Sequence, residues 1–252
     1  MNQFTHVTHG PVKLGRKRGF KFAFSIGHYM TGAVIAPTKV AWERSIAWLM
    51  LVNDRLGCCV IAWMFHYIMA WKSVAHAGDP TPTFTDDQII AVYSAITGYN
   101  PSDPNTDQGT DPDAALAYWK STGLYGDKIA GYVNLDITDI EQIKWAIATF
   151  GGIGLSFDVP AYIMQVPAGE SWSEPPEADT SILGGHQVLV IGYGALGFTV
   201  VSWGAIYHAN WAFWQKYAVA AQVAVSTDWI KQSGTAPSGL DVTTLLADLQ
   251  QV

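Results

Sequence analysis

Residues 60–77 form an apolar run without glycine or proline, and the only two cysteines of the chain come directly before it. Apolar side chains recur on all sides of a helix drawn through this run, so the sequence predicts a helix that is buried over most of its surface. Cys58 and Cys59 then fall at or next to the helix N-terminus, where unpaired backbone N–H groups and the helix dipole favour a thiolate. Cysteine is also among the most buried residue types, so a core thiol and a reactive thiol both fit this segment.

The composition indicates a folded chain with a well-filled interior. Of the 252 residues, 49% are apolar and only 14% are charged, which excludes a disordered chain. This length suffices for one large domain or for two lobes that share a core. The eleven tryptophans are a high count, and several are expected to lie partly exposed on a groove or a partner surface.

The charge balance argues against nucleic-acid binding as the main activity, because the net charge is −7 and the pI is near 5.3. The one basic run, residues 13–21, is short and is interpreted as part of a solvated tail. His6, His9 and His28 lack the partners of a metal site, and no pattern in the chain indicates a cofactor.

The cysteines and the hydropathy pattern bear on the compartment. No segment has the length and apolar character of a membrane span, and the N-terminus lacks the pattern of a signal peptide. Adjacent cysteines are poorly placed for a structural disulfide, so the fold needs no oxidising compartment. A cytoplasmic location is therefore expected.

Hydrophobic periodicity and turn residues predict mainly helices in the first half of the chain and antiparallel strands in the second, which indicates an α+β fold with two lobes. The sharpest signal is a capping box, in which Thr85 and Gln88 begin a helix that runs to about residue 97. The Asn- and Asp-rich segment 98–112 is predicted to be an ordinary loop, because its carboxylate spacing matches no EF-hand loop. Further helices are predicted at 113–122, 139–150, 211–217 and 240–252, and strands at 128–133, 153–157, 187–193, 198–203 and 221–225.

Three stretches, in the right order, resemble the papain-like cysteine peptidases. Residues 37–42 (Pro-Thr-Lys-Val-Ala-Trp) are similar to the start of the mature domain of that family, Pro-x-x-Val-Asp-Trp. Residues 53–59 (Asn-Asp-Arg-Leu-Gly-Cys-Cys) resemble the segment that holds the oxyanion glutamine and the nucleophile. Residues 185–193 (Gly-His-Gln-Val-Leu-Val-Ile-Gly-Tyr), followed by Ser-Trp-Gly at 202–204, resemble the histidine strand and the later Asn-Ser-Trp-Gly turn. Around residues 57–62 the chain also resembles a group of uncharacterised bacterial and phage proteins.

The resemblance implies an α+β, papain-like two-lobed fold. Its N-terminal lobe is helical and carries the cysteine helix, and its C-terminal lobe is an antiparallel β-sheet or barrel. The resemblance divides the chain into an N-terminal arm (1–36), a papain-like domain (37–232), and a linker with a C-terminal amphipathic helix (233–252). With about 36 residues before Pro37, no inhibitory propeptide is recognisable.

The resemblance also implies roles for four residues. Cys59, the second of the pair, is the nucleophile, and His186 holds it as a thiolate and later protonates the leaving amine. Asn53, at the position of the glutamine, donates to the developing oxyanion. The orienting asparagine of the family falls on Val201, which cannot hydrogen-bond the histidine, so Ser202 or a backbone carbonyl is the expected substitute.

Departures from the family pattern keep two functions open. Asn53 is shorter than glutamine, Val60 replaces the tryptophan that follows the nucleophile, and Ala41 replaces the aspartate of the opening motif. One hypothesis is a cysteine peptidase or related amidase, intact or degenerate, that acts on a peptide or protein substrate. The other is a non-catalytic binding or structural protein on the same scaffold, such as a phage virion component, located in the host cytoplasm or the virion. In it the N-terminal arm and the C-terminal helix attach to protein partners.

Overall fold

The computed structural model describes residues 14–15, 36–42, 46–75, 80–226, 229 and 242–249. Most of the predicted N-terminal arm, with His6, His9 and His28, and the predicted linker lie outside the described residues. Among the helices of the described part, none combines the length and the hydropathy that a membrane span requires.

The cysteine helix, α1 (Cys59–Ala75), is the centre of the first lobe, and all residues from 59 to 71 are buried. Its apolar side chains on every face make this possible, because helices α2 (Asp86–Thr97) and α3 (Pro112–Ser121) pack on one side and a β-sheet packs on the other. The expectation of a helix buried on most sides is confirmed.

Helix α2 begins with the predicted capping box. The Thr85 side chain accepts a hydrogen bond from the backbone N–H of Gln88, and the Gln88 side chain accepts one from the backbone N–H of Thr85. The helix ends at Gly98, which adopts a left-handed backbone with φ of 77°. The local signals therefore fixed both ends of this helix.

The second lobe is built on an antiparallel sheet. Its strands are β1 (Val40–Ala41), β2 (Gly131–Leu135), β3 (Ile153–Pro160), β4 (Ile182–Tyr193), β5 (Gly197–Ser202), β6 (Ala205–Asn210) and β7 (Ala218–Val225). The strand order is β2-β7-β3-β4-β5-β6, and β1 pairs with β4. Three helices pack on this sheet: α4 (Ile140–Phe150), α5 (Trp211–Tyr217) and α6 (Val242–Leu249).

Strand β4 contributes side chains to the cores of both lobes. Val188 and Val190 pack in the core of the second lobe, whereas Leu189 and Ile191 pack with α1 in the core of the first. This follows from the alternation of side chains along a strand. The two lobes thus share one strand, and the predicted α+β two-lobed architecture is confirmed.

Candidate active site

Cys59 is the first residue of α1, and its side chain is buried. Backbone N–H groups in the first turn of a helix have no partner within the helix, so they and the helix dipole create a positive potential at this end. The turn before the helix is held by Asp107. Its carboxylate accepts hydrogen bonds from Gly57 N at 3.1 and 3.2 Å and from the Tyr93 hydroxyl at 2.6 Å.

Cys58 belongs to the apolar core of the first lobe. Its Sγ donates to Leu51 O at 3.5 Å. Burial raises the pKa of Cys58 well above its usual value, and the neighbouring charges of Cys59 and Asp107 raise it further. Cys58 is therefore a protonated thiol at neutral pH.

Asn53 lies in the turn before α1, with only 2% of its surface exposed. Its Nδ2 donates to Leu56 O at 3.4 Å, which is long for such a bond, and its backbone N donates to Met50 O at 3.2 Å. An amide nitrogen carries two hydrogens, so the second can serve another acceptor. The preceding Leu51 and Val52 have φ of 54° and 63°, a left-handed conformation that is costly, especially for a β-branched residue.

His186 is the first buried residue of β4. Its Nε2 lies 2.8 Å from Ser202 Oγ, and its ring stacks on Trp203 with 4.7 Å between centroids and 16° between planes. Phe157 makes an edge contact with the ring, with 5.7 Å between centroids. Ser202 lies on the face of the sheet that lines the second lobe, whereas Val201 packs with α1. The Ser202 hydroxyl, one of the two expected substitutes for the missing asparagine, therefore contacts the ring.

The packing of α1 on the sheet brings its N-terminus level with the start of the buried part of β4. Tyr67 borders Gly152, and one turn earlier Trp63 and the Gln187 amide both border Gly154. Four helical residues span about 6 Å, close to the span of two strand residues. Continued at this spacing, the first turn of α1 falls at the level of Ser156 on β3, which pairs with Gln187, the neighbour of His186 on β4.

Leu14 and Gly15 of the N-terminal segment lie between the two lobes at this point. A Cβ added to Gly57 would lie 3.2 Å from Gly15 Cα, and a Cβ added to Gly184 would lie 3.2 Å from Leu14 Cβ. Consecutive Cα atoms are about 3.8 Å apart, so the two glycines face each other across a single dipeptide. Each of them comes two residues before a candidate catalytic residue. The cysteine segment and the histidine segment therefore both border the same dipeptide.

Two further histidines of the described region have other environments. His66, on α1, donates from Nε2 to Leu49 O at 2.8 Å, and its burial lowers its pKa from 6.5 to about 4. His208, on β6, is exposed, and its Nδ1 lies 3.4 Å from Thr199 Oγ1. In the part of the chain that the structure describes, no group of three or more His, Cys, Asp and Glu side chains could hold a metal ion.

Asp107 lies near the site, and no sequence motif indicates its role. It lies in the 98–112 loop, whose carboxylates are explained by turn formation. The Gly109 N–H donates to the Tyr93 hydroxyl at 3.0 Å, so Tyr93 and Asp107 together tie this loop to the turn before α1. The Asn- and Asp-rich composition of the loop holds no signal that sets this carboxylate apart from the others.

Comparison with solved structures identifies the architecture. No protein-family model matches the chain, and no curated protein matches it. Xylellain, a cysteine protease from Xylella fastidiosa, is 14% identical with a TM-score of 0.62, covering 86% of this chain and all of its own. Digestive procathepsin L 3 of Tenebrio molitor is 15% identical with a TM-score of 0.52, covering 87% of this chain and 77% of its own.

A third structure comes from work on antibody cross-reactivity between the mite allergens Blo t 1 and Der p 1. It is 13% identical with a TM-score of 0.53, and the match covers 81% of this chain and 75% of that one. All three matches extend over both lobes, and identities this low carry the fold alone. The chain therefore has the papain-like fold.

Proposed function

We propose that the chain is a cysteine peptidase or a related amidase. The Cys59 thiolate attacks the carbonyl carbon of an amide, and protonated His186 gives its proton to the leaving amine. Water then attacks the thioester with His186 as the base, the acyl–sulfur bond breaks, and the Cys59 thiolate and protonated His186 are restored. The Asn53 amide and the backbone N–H of Cys59 donate to the developing oxyanion. Ser202 holds the imidazole through Nε2.

The observation that carries this proposal is the single dipeptide between Gly57 and Gly184. These glycines precede the proposed nucleophile and the proposed acid/base by two residues each, and both contact Leu14–Gly15. A main-chain segment is thus already accommodated between the two segments that carry the chemistry. A peptide substrate needs the same kind of space.

The environment of the imidazole supports the proposal as well. A histidine that shuttles protons needs a fixed ring orientation, and the Ser202 hydroxyl and the Trp203 ring supply it. The raised pKa of Cys58 leaves that thiol protonated, which favours its neighbour as the nucleophile.

Two measurements test the proposal: thiol alkylation followed by mass spectrometry, and hydrolysis of fluorogenic peptides. We expect iodoacetamide to modify Cys59 at about pH 6, where an ordinary thiol with a pKa of about 8.5 reacts slowly. His186→Ala should abolish hydrolysis and shift the labelling of Cys59 to higher pH. Cys58→Ser is the matched control and should leave the labelling pattern unchanged.

The same measurements are made in the Gly15→Ala chain. If Leu14–Gly15 shields Cys59 from the reagent, the variant shows whether the thiol itself is reactive. If both chains label at Cys58 or at neither cysteine, and neither hydrolyses peptides, the catalytic assignment is wrong.

A non-catalytic role on the same scaffold is the second candidate, and the burial of the site favours it. Cys59 and His186 both have 0% of their surface exposed. Eight of the eleven tryptophans are buried, so an aromatic partner surface has little support. Recovery of the protein as a stoichiometric part of a particle such as a phage virion, with Cys59→Ala harmless to assembly, would favour this role.

A further inference from the structure

Two consecutive residues before Asn53 have a strained backbone. Leu51 and Val52 have φ of 54° and 63°, in the left-handed region that bulky and β-branched residues rarely adopt. Both side chains are buried, and neither residue is a glycine, which would accept this conformation at little cost. Strain of this kind, about 1–3 kcal/mol for each residue, persists only where the surrounding structure holds it. We call residues 49–52, which lead into Asn53, the strap.

Two side chains tie the strap to the first lobe. His66 Nε2 donates to Leu49 O at 2.8 Å, and Cys58 Sγ donates to Leu51 O at 3.5 Å. Both donors are buried, and both belong to the α1 segment, because His66 lies on the helix and Cys58 directly precedes it. The two hydrogen bonds therefore connect the strap to the helix at the centre of the first lobe.

The other two carbonyls of the strap accept hydrogen bonds within the turn itself. Met50 O accepts from the backbone N–H of Asn53 at 3.2 Å, and Val52 O accepts from that of Arg55 at 3.0 Å. These bonds close the turn on which Asn53 lies, but they do not join it to α1. The strap also meets the tip of the β5–β6 hairpin, where a Cβ added to Gly204 would lie 3.1 Å from Met50 N. The position of Asn53 relative to α1 thus depends on the two side-chain bonds and on this contact.

We propose that His66 and Cys58 are positioning residues, which hold the strained strap so that the Asn53 amide is aimed at the oxyanion. The inference rests on the proposed function, because the oxyanion forms on the carbonyl that Cys59 attacks. Neither positioning residue touches the substrate in this role. Without one of the two bonds, the left-handed residues relax toward ordinary backbone angles, and the turn that carries Asn53 moves with them. A displaced donor stabilises the oxyanion less well.

Variants that remove or keep each donor test this role. His66→Phe and Cys58→Ala remove the donors, whereas His66→Gln and Cys58→Ser keep a donor at each position. All four are made in the wild-type chain or, if only that chain hydrolyses fluorogenic peptides, in the Gly15→Ala chain. Circular dichroism checks that each variant folds, and the two positions give independent tests if one substitution prevents folding.

We expect the two variants without a donor to lower kcat about ten- to a hundredfold with a smaller change in KM, because one oxyanion donor contributes about 10²–10³ in kcat. The variants that keep a donor should stay within about threefold of the parent chain, since the hydrogen bond to the strap is retained. An unchanged kcat in His66→Phe and Cys58→Ala overturns the inference.

A double-mutant cycle separates positioning from a general loss of structure. If His66 and Cys58 act through Asn53, removal of either donor should lower kcat by less than about twofold in the Asn53→Ala background. The backbone N–H of Cys59 still donates to the oxyanion there, so a residual rate can be measured. A residue that merely stabilises the fold would lower kcat by the same factor in both backgrounds, and that result overturns the inference.

Hydrogen exchange followed by mass spectrometry tests the two bonds without turnover. We expect the amides of residues 49–57 to exchange at least about tenfold faster in His66→Phe than in His66→Gln, because local opening of the strap costs less without the bond. The amides of β3 are the control and should exchange equally in both. Faster exchange at the strap without hydrolysis in any chain supports the two bonds and rejects the peptidase, so the two failures are distinguishable. Equal exchange in the two variants overturns the inference, whether or not the chain hydrolyses peptides.

Discussion

At the scale of single residues, the contact of His186 with position 202 of β5, and not with position 201, has a geometric cause. Adjacent residues of a strand point to opposite faces of the sheet, so a group at position 201 faces α1 and a group at position 202 faces the histidine. The apolar side chain of Val201 packs against α1, and the hydroxyl of Ser202 contacts His186. A hydroxyl at position 202 can therefore reach the imidazole, whereas a polar group at position 201 would face α1.

The first prediction concerns Ser202. In the proposed mechanism its oxygen accepts a bond from imidazolium Nε2–H, and a bond to a charged group contributes about 1.5–3 kcal/mol. Ser202→Ala should therefore lower kcat by about ten- to a hundredfold with a smaller change in KM. It should also move the alkaline limb of the pH profile to lower pH, because the imidazolium loses an acceptor. Ser202→Thr keeps the hydroxyl and should restore most of the rate, whereas an unchanged pH profile in Ser202→Ala would exclude an orienting role.

The second prediction concerns Asp107, which accepts hydrogen bonds from Gly57 and Tyr93. Asp107→Ala leaves two donors in a mostly buried site without this acceptor, so the free energy of unfolding should fall by about 2 kcal/mol or more. Urea unfolding measures this change, and a double-mutant cycle with Tyr93→Phe should show a coupling of about 1 kcal/mol. Asp87→Ala, at an exposed position, should cost less than about 1 kcal/mol. Equal costs for both aspartates would contradict the assignment.

At the scale of secondary-structure elements, helices were predicted more accurately than strands because their ends carry local signals. Asp139 caps the start of α4 and Gly151 ends it in a left-handed conformation, as the sequence indicated. Strand β4 begins at residue 182 and not at 187, because Gly184 and Gly185 interrupt the apolar pattern. Strand β6 was not predicted, since its residues show no clear alternation and it is held by pairing with β5.

The candidate site shows the same division between local and long-range information. Cys59 and His186 follow from short motifs in the sequence. The hydrogen bond between Asp107 and Gly57 could not be predicted in this way, and neither could the contacts of Leu14–Gly15. Both join segments that are far apart in the chain. A single sequence carries no pattern for such contacts, and the carboxylate had a sufficient local explanation as a turn residue.

The third prediction concerns the packing of α1 on the sheet. A Cβ at Gly154 would lie 2.5 Å from both Trp63 Cζ2 and Gln187 Nε2, and all three residues are buried. Gly154→Ala should therefore lower the free energy of unfolding by about 1–3 kcal/mol. Gly194→Ala is the matched control, because nothing lies within 4 Å of its Cβ position, and it should change stability by less than about 0.5 kcal/mol. Indistinguishable urea midpoints for the two variants would refute this account of the contact.

At the scale of the whole molecule, the shared strand β4 couples the folding of the two lobes. Its alternate side chains are needed by both cores, so neither core is complete without the strand that the other also uses. A single cooperative unfolding transition is expected for the described body of the chain. Stability changes at one buried residue can then be measured on the molecule as a whole.

The fourth prediction uses this cooperativity to follow His66. Its pKa is about 4 in the folded state because of burial, against 6.5 for an ordinary histidine, so between these pH values only the unfolded chain binds the proton. The free energy of unfolding should therefore fall by about 3 kcal/mol through this residue as the pH is lowered from about 6.5 to about 4, with no further loss below.

His66→Gln, which can still donate to Leu49 O, should lose this part of the pH dependence, whereas His208→Gln at an exposed position should retain it. Urea unfolding at a series of pH values compares the three chains, and the net charge of −7 contributes equally to all of them near neutral pH. Parallel curves for the wild-type and His66→Gln chains would show that the buried histidine is not the group responsible.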